Sequence, residues 1–329
     1  MLAFEKITDK DIHLANIYKS ETSDEIVQEV WYTHKFSGDS EIVNDDVLSL
    51  LEEEKLTIQK DHNITLDEYQ RLCDDVKKTK VVNPDYPRNM KKAFLYMQEL
   101  VAHKLRRELV LSRMDPNWIR YNYDTSKPNT AQHQLYCGSS GSGKSWAVVR
   151  AVKLDPHVYH YTKFTLIGTT GETDPSYQPL RDYFGARFEY INSEEITAEQ
   201  CTVNYYPRSS CVCLDDCSST VDRKRRRAVA ELRDRLLHTA RHRSIKLVVV
   251  IHRFNGYRDT SKARNSSSTW HIFARTIPST FIQILDKNFG WKKNKREDML
   301  RRCQYDGRMT VFRVDHPQAL ITPKRIVLL

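Results

Sequence analysis

The stretch of sequence that decides the fold is Gly138-Ser139-Ser140-Gly141-Ser142-Gly143-Lys144-Ser145. It matches the G-x-x-x-x-G-K-S pattern of a phosphate-binding loop, in which glycines allow a tight turn and backbone N–H groups point inward at phosphates. In such a loop Lys144 reaches the β- and γ-phosphates, and the Ser145 hydroxyl holds Mg²⁺. The pattern therefore predicts a site for ATP and Mg²⁺ that includes these eight residues and the next one, Trp146.

The sequence on either side of the loop favours this interpretation over a flexible Gly/Ser-rich linker. Residues 134–137 are predicted to form a short strand, and residues 145–152 have apolar side chains at helical spacing. A phosphate-binding loop joins a strand to a helix, so the flanking segments are those that the motif requires.

Composition limits the class of protein. The chain has 329 residues, of which 40% are hydrophobic, as is typical of globular proteins. No apolar run is long enough to cross a bilayer, and the first residues lack the pattern of a secretion signal. Seven scattered cysteines favour reduced thiols over a disulfide framework. Cys211, Cys213 and Cys217 lie close together in sequence, where packing is favoured over metal binding.

Charge is divided unevenly along the chain. Residues 1–70 contain 6 Lys/Arg and 17 Asp/Glu, a formal charge of −11, so the remaining residues carry +20. An excess of cations favours a polyanionic partner such as nucleic acid, with a solvated basic surface as the alternative. The acidic segment is predicted to be a helical appendage or a partner surface.

The chain is predicted to divide into two parts. Residues 1–128 are expected to be a mostly helical N-terminal region and linker, with a helix over 87–113 as its clearest element. Residues 129–329, the P-loop region, alternate between apolar strands and helices. Strands are predicted over 163–168, 187–191, 210–214 and 246–251, and helices over 177–184 and 222–242. This alternation predicts an α/β three-layer core with a mostly parallel central sheet, a P-loop NTPase of the ASCE or RecA-like kind.

A second chemical motif follows an apolar strand, where Cys211-Val212-Cys213-Leu214 leads into Asp215 and Asp216. The pattern is typical of a Walker B element, in which Asp215 holds Mg²⁺ and Asp216 orients or deprotonates the attacking water. The alternative is that the two acids only cap the basic helix that follows. The position of the pair, about 70 residues after the phosphate-binding loop, favours a catalytic role.

The strand predicted over 246–251 ends at another group of polar residues. In ATPases that insert a strand between the loop strand and the Walker B strand, a polar residue at its tip senses the γ-phosphate. His252 is the first candidate for this sensor and Asn255 the second. An ordinary histidine at a strand end is an equally good interpretation of His252.

Basic residues follow the Walker B strand. Residues 223–227 read Arg-Lys-Arg-Arg-Arg, and the apolar stripe of the helix leaves most of these cations exposed. They are predicted to contact nucleic-acid phosphates or to serve as a nuclear-import address, with a solvated face as the alternative. Three arginines are candidates for an arginine finger that reaches a neighbouring subunit: Arg241, Arg243 and Arg253. His238 and His242 are one helical turn apart, but the sequence offers no third metal ligand.

The order of these motifs resembles that of the DNA-packaging ATPases of poxviruses and related large DNA viruses, a branch of the FtsK and HerA superfamily. The resemblance covers residues 130–290 and includes the loop, the Leu-Asp-Asp strand end, the Ala-Arg-His-Arg segment at 240–243 and the Ala-Arg-Asn-Ser segment at 263–266. The chain departs from the family in having His252 where glutamine is usual.

The resemblance implies a hexameric ring that hydrolyses ATP at subunit boundaries and pumps double-stranded DNA into a preformed capsid. It also implies capsid or portal-vertex partners and a location in the host cytoplasm or the virion, with the nucleus an alternative because of the basic run. Residues 169–175 and 258–264 are candidate pore-facing DNA contacts, with ordinary surface loops as an equally good interpretation. A cellular DNA translocase or helicase, a P-loop kinase and a non-hydrolysing nucleotide-dependent scaffold are the alternative functions.

Overall fold

The computed structural model describes residues 2–4, 6, 11–33, 41–78, 83–102, 108–111, 116–121, 132–155, 158–169, 174–254 and 257–329. At 3, 41–50, 77–78, 98–102, 108, 110, 241 and 257–259 this description covers the backbone alone.

The N-terminal region contains both helices and strands. Its elements are β1 (Leu2–Ala3), β2 (Ile12–Tyr18), β3 (Ile26–Tyr32), α1 (Glu41–His62), α2 (Leu66–Lys78), α3 (Arg88–Ala102), β4 (Glu108–Val110) and β5 (Trp118–Tyr121). Side chains of the three helices pack into a cluster of their own, which includes Leu72, Phe94 and Met97. The helices agree with the sequence prediction of a helical region.

The prediction of a mostly helical region missed an antiparallel sheet of four strands in the order β1-β3-β2-β5. The alternation of apolar and polar residues that reveals a strand is disturbed in β2, because its pairing with β3 shifts between His13 and Ala15 and again between Ile17 and Tyr18. Four of the seven residues of β3 are also exposed. The two strands therefore lack a regular pattern that the sequence could show.

The helix predicted over 87–113 ends earlier than expected. Helix α3 is described as far as Ala102, and Leu109, which lies inside the predicted helix, belongs to β4. There it pairs with Ile326 at the edge of the large sheet. Pairing with an open sheet edge outweighs the local helical pattern, so this part of the prediction was wrong. Residues 122–131 lie outside the described residues, and the division of the chain after residue 128 stays a prediction.

The P-loop region is built on a large, mostly parallel sheet. Its elements are β6 (Gln134–Cys137), α4 (Lys144–Lys153), β7 (Phe164–Gly168), α5 (Gln178–Phe184), β8 (Phe188–Asn192), β9 (Cys211–Asp215), α6 (Arg223–Thr239), β10 (Lys246–Ile251), α7 (Tyr257–Ser266), β11 (Thr269–Ile272), α8 (Pro278–Lys287), α9 (Lys293–Asp306), β12 (Thr310–Arg313), β13 (Ala319–Thr322) and β14 (Arg325–Leu328). Among the described residues the sheet has ten strands in the order β4-β14-β13-β12-β11-β6-β10-β9-β7-β8.

The six strands from β11 to β8 in this order run parallel, and the remaining strands add antiparallel pairs at the β11 edge. Strand β10 pairs with β6 on one side and with β9 on the other. The predicted strand between the loop strand and the Walker B strand is therefore confirmed.

Helices cover both faces of the parallel strands. On one face, side chains of α4 and α5 such as Val148 and Leu180 pack on Tyr136 and Val248. On the other, Leu232 and Leu236 of α6, with residues of α7, α8 and α9, pack on the alternate side chains of the strands. The small N-terminal sheet packs on β12, β13 and β14. The chain has the predicted α/β P-loop NTPase fold, and in the part that the structure describes no helix is long and apolar enough to span a bilayer.

Candidate nucleotide-binding site

The phosphate-binding loop lies where β6 ends and α4 begins, and its glycines have the conformation that the motif requires. Gly141 and Gly143 have φ angles of 71° and 98°, in the left-handed region that favours glycine. At Gly138 a Cβ atom would lie 2.7 Å from Ser142 Oγ and 2.9 Å from Phe273 Cβ. Larger residues at these three positions would strain or fill the loop.

Lys144 lies across this loop. Its Nζ donates hydrogen bonds to the carbonyl oxygens of Gly138 and Ser139, at 2.9 and 2.8 Å. The residue is 6% exposed, and burial lowers the pKa of its ammonium group, against the opposing effect of Asp215 and Asp216. The backbone of the loop therefore fixes the lysine at the loop, and its contact with the β- and γ-phosphates stays a prediction.

Two features of the loop fit a bound phosphate. The Ser142 hydroxyl is buried and has no hydrogen-bond partner among the residues that the structure describes. Helix α4 begins after Gly143 without a side-chain cap and has no acidic residue in its first turn. The first helical amides of Lys144, Ser145 and Trp146 precede Ala147, whose N–H is bonded to the Gly143 carbonyl. Free amides at a helix start attract anions, so the loop is suited to a triphosphate.

Asp215 and Ser145, the two predicted Mg²⁺ ligands, are in contact with each other. Ser145 Oγ donates to Asp215 Oδ2 at 3.2 Å, and the Tyr177 hydroxyl donates to the same oxygen at 2.7 Å. Burial raises the pKa of Asp215, and the hydrogen bonds from Tyr177 and Ser145 lower it. A hydroxyl and a carboxylate are the hard oxygen ligands that Mg²⁺ takes beside substrate phosphates, so the residues fit the ion.

Gly168 at the end of β7 allows this strand to approach Asp215. A Cβ atom at Gly168 would lie 2.9 Å from the backbone oxygen of Asp215. Because a backbone atom cannot swing away as a side chain can, only glycine fits here without a shift of β9. The Walker B strand β9 and the neighbouring β7 thus set the position of the carboxylate together.

Asp216 follows Asp215 in sequence and contacts His252, the first sensor candidate. Its backbone φ is 49°, and its Oδ2 lies 3.1 Å from His252 Nε2. The other imidazole nitrogen, Nδ1, lies 3.4 Å from Lys144 Nζ. The basic helix α6 is capped by Asp222, whose carboxylate accepts from the Arg225 N–H at 2.9 Å. The capping alternative for Asp215 and Asp216 is therefore wrong, since another acid caps α6.

The other predicted site residues lie in different places. Trp146 follows the loop and is 57% exposed. Arg253 is exposed beside His252, at the same edge of the sheet as the phosphate-binding loop. Arg243 precedes β10 and therefore lies at the opposite edge, roughly 20 Å away along the strand. Asn255 and the side chain of Arg241 lie outside the described residues.

The Arg243 guanidinium is used inside the chain. It donates to Asn204 Oδ1 at 2.5 Å and to the Tyr206 carbonyl oxygen at 2.8 Å. These bonds fix the segment before β9 to the turn before β10. The candidates for an arginine finger thus differ in surroundings, and the choice among them stays a prediction.

The candidate DNA contacts are described in part. Thr169 Oγ1 lies 2.8 Å from Ser219 Oγ, Asp174 caps the turn before α5, and residues 170–173 lie outside the described residues. In α7, Lys262 donates to Asp234 at 2.7 Å and the Arg264 guanidinium lies over the Phe254 ring. Residues 223–227 are all exposed.

The two metal alternatives have no support in the described part of the chain, where no group of three or more His, Cys, Asp or Glu side chains is placed to hold a metal ion. Cys211 and Cys213 are fully buried among apolar side chains of the sheet. Burial raises the pKa of both thiols, that of Cys211 to about 12. These cysteines therefore pack as small apolar residues.

Two contributors to the site were missed by the sequence analysis. Tyr177, which is fully buried, reaches Asp215 from the short helical turn before α5, and Thr276 Oγ1 accepts from the Ser139 N–H at 3.3 Å. Neither residue is part of a motif, since both come from segments that the fold brings to the carboxyl edge of the sheet. The apolar spacing around Tyr177 indicated only a helix.

No family model and no curated protein matches the sequence. Among solved structures, the chain is similar to the genome packaging NTPase B204 from Sulfolobus turreted icosahedral virus 2 in complex with sulfate, with 14% identity, a TM-score of 0.40, and coverage of 61% of this chain and 98% of that chain. The B204 complex with ATP-gammaS has 13% identity, a TM-score of 0.38, and coverage of 60% and 98%.

A third similar structure is EccC (ATPases 2 and 3) from Thermomonospora curvata, with 11% identity, a TM-score of 0.34, and coverage of 57% of this chain and 42% of that chain. Sequence identities of 11% to 14% assign no roles to individual residues of this chain, and only its own geometry supports such roles. The similar structures include a viral genome-packaging NTPase, the class of protein that the motifs of this sequence resemble.

Proposed function

We propose that this protein is a Mg²⁺-dependent ATPase that translocates double-stranded DNA and packages a viral genome into a preformed capsid. The observation that carries the ATPase proposal is the contact between the phosphate-binding loop and the Walker B strand. Ser145 Oγ lies 3.2 Å from Asp215. Lys144 Nζ lies 3.4 Å from His252, which in turn contacts Asp216. The proposed ligands of the phosphates and Mg²⁺ therefore lie beside a second carboxylate, that of Asp216.

Each residue of this group has a distinct part in the proposed hydrolysis. The loop amides and Lys144 bind the triphosphate, and Ser145 and Asp215 hold Mg²⁺. When bound, Mg²⁺ neutralises charge on the β- and γ-phosphates. Asp216 orients the attacking water and accepts its proton, and His252 positions the Asp216 carboxylate. Tyr177 holds Asp215 by its 2.7 Å hydrogen bond.

The DNA part of the proposal rests on charge and on the resemblance. Residues 71–329 carry a formal charge of +20, and the cations at 223–227 are exposed on the first turns of α6. Such a surface attracts the phosphates of a nucleic acid without regard to sequence. The hexameric ring, the capsid or portal-vertex partners and a location in the host cytoplasm or the virion complete the proposal and come from the resemblance alone.

The test measures ATP turnover with and without double-stranded DNA over a range of salt concentrations. We expect DNA to raise the turnover rate and salt to abolish this rise, because phosphate contacts weaken as salt increases. Lys144→Ala is the control, since it should remove ATP binding and turnover together.

Each alternative function gives a different result in this test. Turnover that DNA does not change would support a P-loop kinase, and DNA binding without any turnover would support a nucleotide-dependent scaffold. A DNA-stimulated ATPase that does not associate with capsid or portal proteins would support another translocase or helicase of the FtsK and HerA type.

A further inference from the structure

Trp146 is a large aromatic side chain that directly follows the phosphate-binding loop. It occupies the third position of α4, directly after Lys144 and Ser145, and is 57% exposed. Its N–H is the last one before that of Ala147, which donates to the Gly143 carbonyl oxygen. If phosphates lie over Lys144 and Ser145, the nucleoside end of the ligand extends past this residue.

The guanidinium of Arg150, one helical turn further along α4, lies over one face of the Trp146 indole ring. The guanidinium carbon lies 5.2 Å from the centre of the indole ring, within the range of a cation–π contact. Arg150 is itself fixed, because it donates to the backbone oxygen of Glu21 and its Nη1 lies 3.6 Å from the Glu21 carboxylate. The Trp146 ring therefore rests on a side chain that has little freedom.

Glu21 belongs to the turn between β2 and β3 of the N-terminal sheet, and a second arginine holds that turn. Arg120 of β5 donates to the backbone oxygens of Glu21 and Ser23 at 2.5 and 2.9 Å. Its guanidinium carbon lies 4.1 Å from the centre of the Tyr18 ring. The support of Trp146 thus continues into the N-terminal sheet, so this sheet has a direct connection to the nucleotide-binding helix.

From this arrangement we propose that Trp146 is the platform on which the base of the bound nucleotide stacks, with Arg150 and Glu21 as its positioning residues. The inference rests on the proposed nucleotide binding and adds the part of the site that contacts the base. Every base presents a flat π face, so a stacking platform accepts purines and pyrimidines with little discrimination. The N-terminal region would then contribute to nucleotide affinity through Glu21.

The test compares ATP with inorganic tripolyphosphate, which has the phosphates and lacks the base. Affinities of both for the full-length chain with Mg²⁺ are measured by calorimetry. Trp146→Ala should weaken ATP binding about five- to thirtyfold, in the lower part of the range for loss of a base–aromatic stack, and leave tripolyphosphate binding unchanged. Trp146→Phe should retain most of the ATP affinity. Tyr159→Ala, which removes an aromatic ring that is 79% exposed, is the matched control and should change neither affinity.

The positioning residues are tested in the same way. Glu21→Gln and Arg150→Lys should each weaken ATP binding about two- to fivefold without an effect on tripolyphosphate, because a loosened indole ring stacks less well. Affinities for ATP, GTP and CTP that agree within about fivefold would support the platform.

Three results would overturn the proposal. The first is an equal loss of ATP and tripolyphosphate affinity in Trp146→Ala. The second is a Trp146→Ala variant that loses neither affinity, whether or not its oligomeric state changes. The third is a wild-type chain that binds tripolyphosphate as tightly as ATP. A wild-type chain that binds neither ligand would contradict the proposed function itself.

Discussion

His252 joins the second Walker B acid to the lysine of the phosphate-binding loop. Its Nε2 lies 3.1 Å from Asp216 Oδ2, and its Nδ1 lies 3.4 Å from Lys144 Nζ. A lysine ammonium group only donates hydrogen bonds, so Nδ1 must accept and the imidazole proton must be on Nε2, which donates to Asp216. With this tautomer His252 connects Lys144, the proposed phosphate ligand, to Asp216, the residue proposed to activate water.

This connection predicts that His252 affects turnover more than ATP binding. His252→Ala should lower kcat about 10- to 100-fold and change the KM for ATP by less than about threefold, because Asp216 loses the donor that orients it. His252→Gln should recover part of the rate, since an amide can both donate and accept. Steady-state ATPase measurements check this, and an unchanged kcat in His252→Ala would contradict it.

The two acids of the Walker B strand should give different effects when each is changed. Asp216→Asn keeps the shape of the side chain and removes its ability to accept a proton, so turnover should fall at least about 100-fold while ATP affinity stays within about threefold. Asp215→Asn should instead weaken Mg²⁺, measured as a higher Mg²⁺ concentration for half-maximal activity. Equal turnover by Asp216→Asn and the wild type would exclude the proposed role of Asp216.

The exposed cations at the start of α6 should contribute to DNA binding. A chain with Arg223→Gln, Lys224→Gln and Arg225→Gln should bind double-stranded DNA more weakly, and the slope of log K against log salt should become shallower by about two to three. The matched control changes Lys292, Lys293 and Lys295 near the start of α9 to Gln. Equal slopes for the wild type and the α6 variant would show that this run only faces solvent.

The parts of the site that could be predicted from sequence are those carried by continuous motifs. The loop residues 138–145 are consecutive, and Asp215 and Asp216 directly follow an apolar strand. The continuous apolar run Leu247–Ile251 predicted the inserted strand that places His252 beside both motifs. Tyr177 could not be predicted, because it reaches Asp215 only after β7 and the following turn have folded against the Walker B strand.

The N-terminal region shows a second limit of prediction from sequence. Helix α3 could be predicted from apolar spacing, whereas the register shifts in β2 hide the alternation that identifies a strand. Leu109 fits a helical stripe and a strand equally well, and its pairing with Ile326 decides between them. Where the local sequence fits both a helix and a strand, contacts between distant segments decide which of the two forms.

Arg243 and Arg253 should differ in how much each side chain contributes to the free energy of unfolding. Arg243→Ala removes the hydrogen bonds to Asn204 and the Tyr206 carbonyl oxygen, so the free energy of unfolding should fall by about 1–3 kcal/mol. Arg253→Ala removes an exposed side chain and should leave the stability within about 0.5 kcal/mol. Chemical denaturation of both variants measures this, and an Arg253→Ala variant that is the less stable of the two would reverse the assignment.

His271 should make the stability of the fold depend on pH. It is buried in β11, stacks on Tyr136 with ring centres 4.1 Å apart, and burial lowers its pKa from 6.5 to about 3, with a smaller contribution from Lys246. Above pH 6.5 the imidazole is neutral in the folded and the unfolded chain. Between about pH 6.5 and 3 only the unfolded chain binds the proton, so unfolding becomes more favourable as the pH falls.

His271→Phe keeps an aromatic ring on Tyr136 and removes the titrating group. It also removes the hydrogen-bonding contact between His271 Nε2 and Thr269 Oγ1 at 3.1 Å, so the variant should be less stable than the wild type at pH 8. The difference should shrink as the pH falls from 6.5 to about 4, because only the wild type loses stability through this histidine. Thermal unfolding across this range measures both curves. Parallel curves would show that His271 accepts its proton in the folded chain as readily as in the unfolded chain.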